Sequence, residues 1–328
     1  MKITEQLGLM KAMGGRTIPL ISKIFFFRLI HPKIFDQWKE APEDYDPKPN
    51  YEIPKYEEWM KIPDFDKDEL YLRPTLGCEC EAPEIVALAY KLGVDKLLAK
   101  ERSSSDLAQR QLEWKYAENA LKWVKNNIKF NIGGGTATET LREGMGVCIQ
   151  QMTLFITLCR IGGLKARYKV MVSSELDPRM QELGMGISKE MGVDQIFGDF
   201  LYKVLNAFPG HILAEVYIDG RWVNADPTFS DELEVGLGYE ISKLGYEPEW
   251  ASETGKVYYL EDSPRMGRPL LKWGKSFRGL QYMIDKGFEP YAEKGREILK
   301  LGEESYEEKM KKGYEGLSKE LSDIMKRV

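Results

Sequence analysis

The sequence predicts an α+β fold, and three observations predict it. A helical stretch opens at Cys148, behind the chain breakers Gly144 and Gly146, and runs into the β-rich stretch Tyr168 to Val172. Farther on, Asp219-Gly220 stands between two alternating apolar runs, the signal of a β-hairpin. Helical patterning then flanks these elements on both sides, at 82–93 and 105–127 before them and at 276–328 after them.

The first of these elements sets the chemistry. Cys148, Met152, Phe155, Ile156 and Cys159 follow the three-four spacing of one buried helical face, which places Cys148 in the first turn. Gly162-Gly163 ends the helix with residues that accept positive φ. The unpaired amides and the positive dipole end of a helix start favour a thiolate there and turn a small hydrophobe into a candidate nucleophile. Taken alone, Cys148 reads equally well as a core residue, because it shares its stripe with Met152 and Phe155.

The hairpin supplies the partners. A two-residue type I′ loop at Asp219-Gly220 pairs Ile218 with Arg221 and sets Asp226 opposite Leu213. Side chains two apart share a strand face, so His211 and Asp226 become diagonal neighbours within reach of an imidazole–carboxylate hydrogen bond. Asp226 would then orient His211, and His211 could accept the proton of Cys148.

At these residues the chain resembles the transglutaminase-like superfamily of papain-related cysteine enzymes. Three blocks carry the resemblance: Gly146 to Cys148 at the helix start, Leu158 to Arg167 across the helix end and strand, and the hairpin ending in Asp226-Pro227-Thr228. The resemblance implies a papain-like core, with the nucleophile helix packed on an antiparallel sheet. It also implies Cys148 as nucleophile, His211 as base and Asp226 as orienter. Ile149-Gln150-Gln151 and Ile212 depart from the acidic or aromatic residues that family members often carry there, which bears on specificity more than on chemistry.

Composition bounds the rest. A chain of 328 residues has ample length for a core, and a net charge of −5 with both signs interspersed offers no basic footprint for nucleic acid. Cys78, Cys80, Cys148 and Cys159 do not form a disulfide framework, so a reduced, cytoplasmic setting is the simpler reading. Cys78-Glu79-Cys80 lacks a second ligand pair for zinc, and Gly133-Gly134-Gly135 lacks the Lys-Ser or Lys-Thr of a phosphate loop. No cofactor and no metal are expected.

The chain divides into three regions. Residues 1–100 form an N-terminal extension. Its basic, apolar start around Ile24-Phe25-Phe26-Phe27 is too interrupted for a membrane span or a signal peptide, and is read as a segment packed on the body rather than a helix lying on a membrane. His31, ahead of Pro32, reads as structural. From Ala41 to Pro83 repeated prolines prohibit a long helix, while Tyr45, Tyr51, Tyr56, Trp59 and Phe65 predict an extended arm pinned by its rings. Ser103 to Asp106 should cap the helix that follows. Residues 101–265 form the core, into which 173–210 is inserted as an apolar, methionine-rich lid over the cleft. Val257 to Leu260 adds a strand, and 266–328 forms a helical extension.

The function expected on this basis is that of a cysteine-dependent amide or peptide bond hydrolase working through a thioester acyl-enzyme. Its substrate would be a peptide, a protein or a small amide. Acyl transfer by the same residues, and a catalytically silent binding module, are the competing readings, and the sequence leaves the oligomeric state open.

Overall fold

The structure, a computed structural model, describes residues 39–66, 68–99, 107–171, 174–176, 211–253, 255–263 and 275–300, with isolated positions between 22 and 33. The predicted lid, apart from 174–176, lies outside the described residues. So do His31, the Ser103 to Asp106 cap and the tail beyond 300.

The architecture is α+β, as the sequence predicts. Helices α1 (Pro83–Lys91), α2 (Val94–Leu98) and α3 (Leu107–Asn127) lead into the two-residue strand β1 (Lys129–Phe130). Helix α4 (Ala137–Glu143), strand β2 (Met145–Gly146) and helix α5 (Cys148–Ile161) follow. The main sheet is antiparallel, in the order β6-β5-β3-β8, from β3 (Ala166–Met171), β5 (Ile212–Ile218), β6 (Arg221–Ala225) and β8 (Val257–Leu260). A separate pair joins β4 (Ser174–Leu176) to β7 (Ala251–Glu253). Between β6 and β7 lies the short helix α6 (Asp231–Gly236), and α7 (Arg278–Lys300) closes the described chain.

Helix α5 is the centre. The sequence predicts one buried stripe, but every residue from Gln150 to Ile161 is buried, because α1, α3 and α4 cover the sides that the sheet leaves open. Several of its buried polar side chains donate to backbone carbonyls. Thr153 and Thr157 donate back to the carbonyls of Ile149 and Thr153, at 2.7 and 2.6 Å, and Gln151 Nε2 reaches the Ile128 carbonyl at 2.8 Å. Leu107, the first residue of α3, is exposed. At the other end of α5 only Gly163 takes positive φ (67°), while Gly162 remains in the right-handed region. Gly162 is needed for closeness, since a Cβ there would stand 2.5 Å from the Tyr116 ring.

Arg160, fully buried, explains the block from 158 to 167. Its guanidinium donates to the carbonyls of Tyr71, Arg73, Ala166 and Glu261, so one side chain ties the end of α5 to the arm and to the strand that ends the sheet. The arm itself lies on the core. Tyr51 donates to the Leu141 carbonyl at 2.6 Å and packs edge-on against Trp123, while Pro49 sits where a side chain on Gly144 would stand.

Replacing Arg160 with Ala orphans these carbonyls and opens a cavity, with an expected loss of about 3 kcal/mol or more in unfolding free energy. Urea denaturation checks this, and a loss below about 1 kcal/mol would contradict the role given to Arg160.

Candidate active site

The site is assembled from two local decisions. The first is the turn. Asp219 and Gly220 both take positive φ (53° and 75°), the type I′ geometry, and the strands pair Ile218 with Arg221 through Ala214 with Ala225. Beyond the last of these pairs, His211, just before β5, and Asp226, just after β6, meet at the end of the hairpin. His211 Nε2 stands 2.7 Å from Asp226 Oδ2, with both residues buried.

The second decision is the start of α5. Gly144, at φ 66°, ends α4, and β2 pairs in parallel with β1, so the chain enters α5 from a short strand. Val147, at the N-cap, is extended and provides no side-chain cap, and its carbonyl accepts the Gln150 amide at 3.0 Å. Cys148 is the first helical residue. It is half-buried, whereas Cys78, Cys80 and Cys159 are buried. Burial pushes the Cys80 and Cys159 thiols up, which keeps them protonated and inert.

The two parts meet at His211. Burial alone would lower its affinity for a proton. The Asp226 carboxylate, by charge and hydrogen bond, outweighs that penalty with help from a hydrogen bond to Cys148, so the imidazole is carried up from 6.5 to about 10. Nε2 is engaged by Asp226, which leaves Nδ1 as the ring nitrogen for Cys148. The other oxygen of the carboxylate, Asp226 Oδ1, accepts the Thr228 amide at 2.9 Å, so the Asp-Pro-Thr corner fixes the carboxylate plane. The structure thus brings Cys148, His211 and Asp226 together, the residues singled out in the sequence.

Sequence reasoning missed what covers them. Trp250 packs edge-on against the His211 ring, at 4.4 Å between centroids, and Phe229 backs Trp250 at 4.8 Å. Both rings are almost fully buried and keep water from the His211–Asp226 contact. Phe229 lies next to the Asp226-Pro227-Thr228 corner and could have been suspected from that position. Trp250 carries no motif, and only the fold brings it back.

Among the described residues no group of His, Cys, Asp or Glu is placed to hold a metal ion, and no helix is long and apolar enough to cross a membrane. Cys78 Sγ instead lies 3.4 Å from the Tyr168 hydroxyl, in the core.

Residues 102–227 match the family model of the transglutaminase-like superfamily, so this segment is a transglutaminase-like domain. It contains Cys148, His211 and Asp226. Among solved structures, a protein from Cytophaga hutchinsonii, provisionally described as a cysteine protease, is similar at 21% identity with a TM-score of 0.30. The similarity covers 58% of this chain and 51% of that one, so this chain matches about half of that protein's length. A comparison with curated proteins gave no match.

Because His211 binds its proton more tightly folded than unfolded, the stability it contributes is complete below about pH 6.5 and is lost as pH rises through about 10. Thermal unfolding of the wild type should therefore weaken across that window, and Asp226→Asn should flatten the dependence. Equal slopes for the two proteins would show that Asp226 does not hold the proton on His211.

Proposed function

We propose that this chain is a cysteine-dependent amide or peptide bond hydrolase that works through a thioester acyl-enzyme. The observation that carries the proposal is a half-buried cysteine at a helix start, beside an imidazole whose Nε2 is held at 2.7 Å by a buried carboxylate. This is the relation of nucleophile, base and orienter that thiol chemistry requires.

In the proposed reaction His211 already holds at Nδ1 the proton given up by Cys148, as its raised proton affinity allows, and the sulfur attacks the carbonyl carbon of the bound amide. The Cys148 amide, at the positive end of α5, donates to the oxyanion. Collapse of that intermediate breaks the C–N bond, and the imidazolium returns its proton to the departing amine. A thioester remains on Cys148. Water then attacks it, giving one proton to His211, and the acid leaves as the ion pair of Cys148 and His211 is restored. Asp226 stays ionised throughout and holds the ring with Nδ1 towards sulfur. Acyl transfer differs only in the second half, where an amine replaces water.

The buried neighbourhood supports this assignment. Trp250 and Phe229 exclude water from the orienting contact, so the charge on Asp226 acts through a low-dielectric path. Cys148 keeps partial exposure, as a nucleophile must if it is to meet a substrate. A silent binding module has no need of a reactive thiol, and that difference is open to measurement.

Cys148→Ala should abolish amidase or transferase activity while leaving thermal unfolding nearly unchanged, because the substitution removes little packing. Turnover in that variant would end the assignment. Asp226→Asn should keep the fold at neutral pH and lower kcat by roughly 10³- to 10⁴-fold, through loss of the oriented tautomer. A loss of less than about tenfold would give Asp226 a merely structural part.

A further inference from the structure

We propose that α7 is a positioning strap for the reacting side chains: its first half holds the loop that leads to Cys148, its second half holds the loop that follows Asp226, and the helix thereby fixes the nucleophile relative to the base. The proposal rests on the cysteine-nucleophile reading. It adds an element that lies outside the transglutaminase-like segment 102–227.

The first half of α7 docks on the stretch between β1 and α4. Asn131 Nδ2 donates to the Gln281 carbonyl at 2.8 Å and to Asp285 Oδ1 at 2.7 Å, and Gln281 Nε2 donates to the Ile132 carbonyl at 2.6 Å. Gln281 Nε2 also lies 3.8 Å from the sulfur of Met145, in the strand that feeds α5. Tyr45 of the arm completes this end with a 2.9 Å hydrogen bond to Asp285 Oδ2.

The second half crosses α6 at backbone distance. A Cβ on Gly295 would fall 1.7 Å from the Glu232 carbonyl oxygen, and one on Gly236 would fall 1.9 Å from that of Tyr291. Only glycine at both positions permits this crossing. Val235 and Ile298 pack beside it. Helix α6 is held from its far side too, since the buried Lys125 ammonium of α3 meets Glu234 at 2.5 Å and Asp231 at 2.8 Å.

One ring joins the two halves. Phe288 packs on Phe130 at 5.7 Å and on Phe229 at 6.0 Å. Phe130 pairs by backbone with Gly146, just before Cys148, and Phe229 passes the contact to Trp250, which lies on His211. The packing therefore runs unbroken from α7 to both reacting groups. A nucleophile and a base carried by separate elements need such a common reference, because a misplacement of about 1 Å can cost roughly a hundredfold in rate.

The test uses the full chain with Phe288→Ala, which cuts the ring path, and Gly295→Ala, which wedges α7 off α6. Two readouts are taken on protein shown by circular dichroism to be folded. The first is the alkylation rate of Cys148 by iodoacetamide as a function of pH, with Cys148→Ala as the blank. The second is the titration of His211 by NMR, which is simple to assign because the chain has two histidines. Both variants should label about tenfold or more slowly. His211 should titrate lower, back from about 10 towards 6.5, as water weakens its tie to Asp226. Phe288→Leu, which refills most of the space, should recover both. If Gly295→Ala does not fold, Phe288→Ala decides. Unchanged labelling and an unchanged His211 titration in folded Phe288→Ala overturn the strap. A wild type that labels no faster than a free thiol, while His211 still shifts in Phe288→Ala, upholds the strap's hold on His211 and overturns the nucleophile reading instead.

Discussion

The site depends on a constraint of strand geometry, the two-residue turn at Asp219-Gly220. A turn this short leaves no freedom of register, and strand alternation then assigns His211 and Asp226 to one face at the open end of the hairpin. A slip of one residue would put them on opposite faces. With the pair fixed, β3 lies beside β5 and carries the chain back from α5, whose start presents Cys148 at the same end. The core around α5 serves this placement, because a helix buried on every side has little room to rotate its first residue away.

Two buried charges show how one physical problem is solved for different ends. Arg160, at the C-terminal end of α5, is surrounded by backbone carbonyls that replace its hydration and join the arm, the helix and the last strand. Asp226 receives one backbone amide and one imidazole, so part of its hydrogen-bonding capacity is committed to a group that can gain and lose a proton. The first arrangement commits the guanidinium to backbone carbonyls alone. The second stores a proton on His211 near neutral pH, at the cost of desolvating an ionic contact beneath Trp250 and Phe229.

How much of this was legible in the sequence follows from how local each signal is. The hairpin register, the helix start at Cys148 and the strand 257–260 depend on residues close in the chain, so Asp219-Gly220, Gly144 and β-rich composition suffice to read them. The meeting of His211 and Asp226 is non-local by only one turn, and strand periodicity reaches that far. The cover over His211 is different in kind. Trp250, Phe229 and Phe288 belong to separate elements whose aromatic residues look like any others in a chain rich in them, and only the crossing of α6 and α7 aligns them. The all-round burial of α5 escaped for a similar reason: helical periodicity reports the apolar stripe, and the polar residues Gln151, Thr153, Thr157 and Arg160 conceal the other faces.

The claim at the centre is that Cys148 forms a covalent acyl intermediate under the control of His211 and Asp226. Mass spectrometry of the intact protein, quenched in acid during incubation with a small activated ester, tests this most directly. The account predicts a single acyl adduct that maps to Cys148 by peptide analysis, forms much faster than on the buried cysteines and decays as free acid appears. An adduct that never forms on Cys148, or one that forms at the same rate when His211 is replaced by Gln, would contradict it.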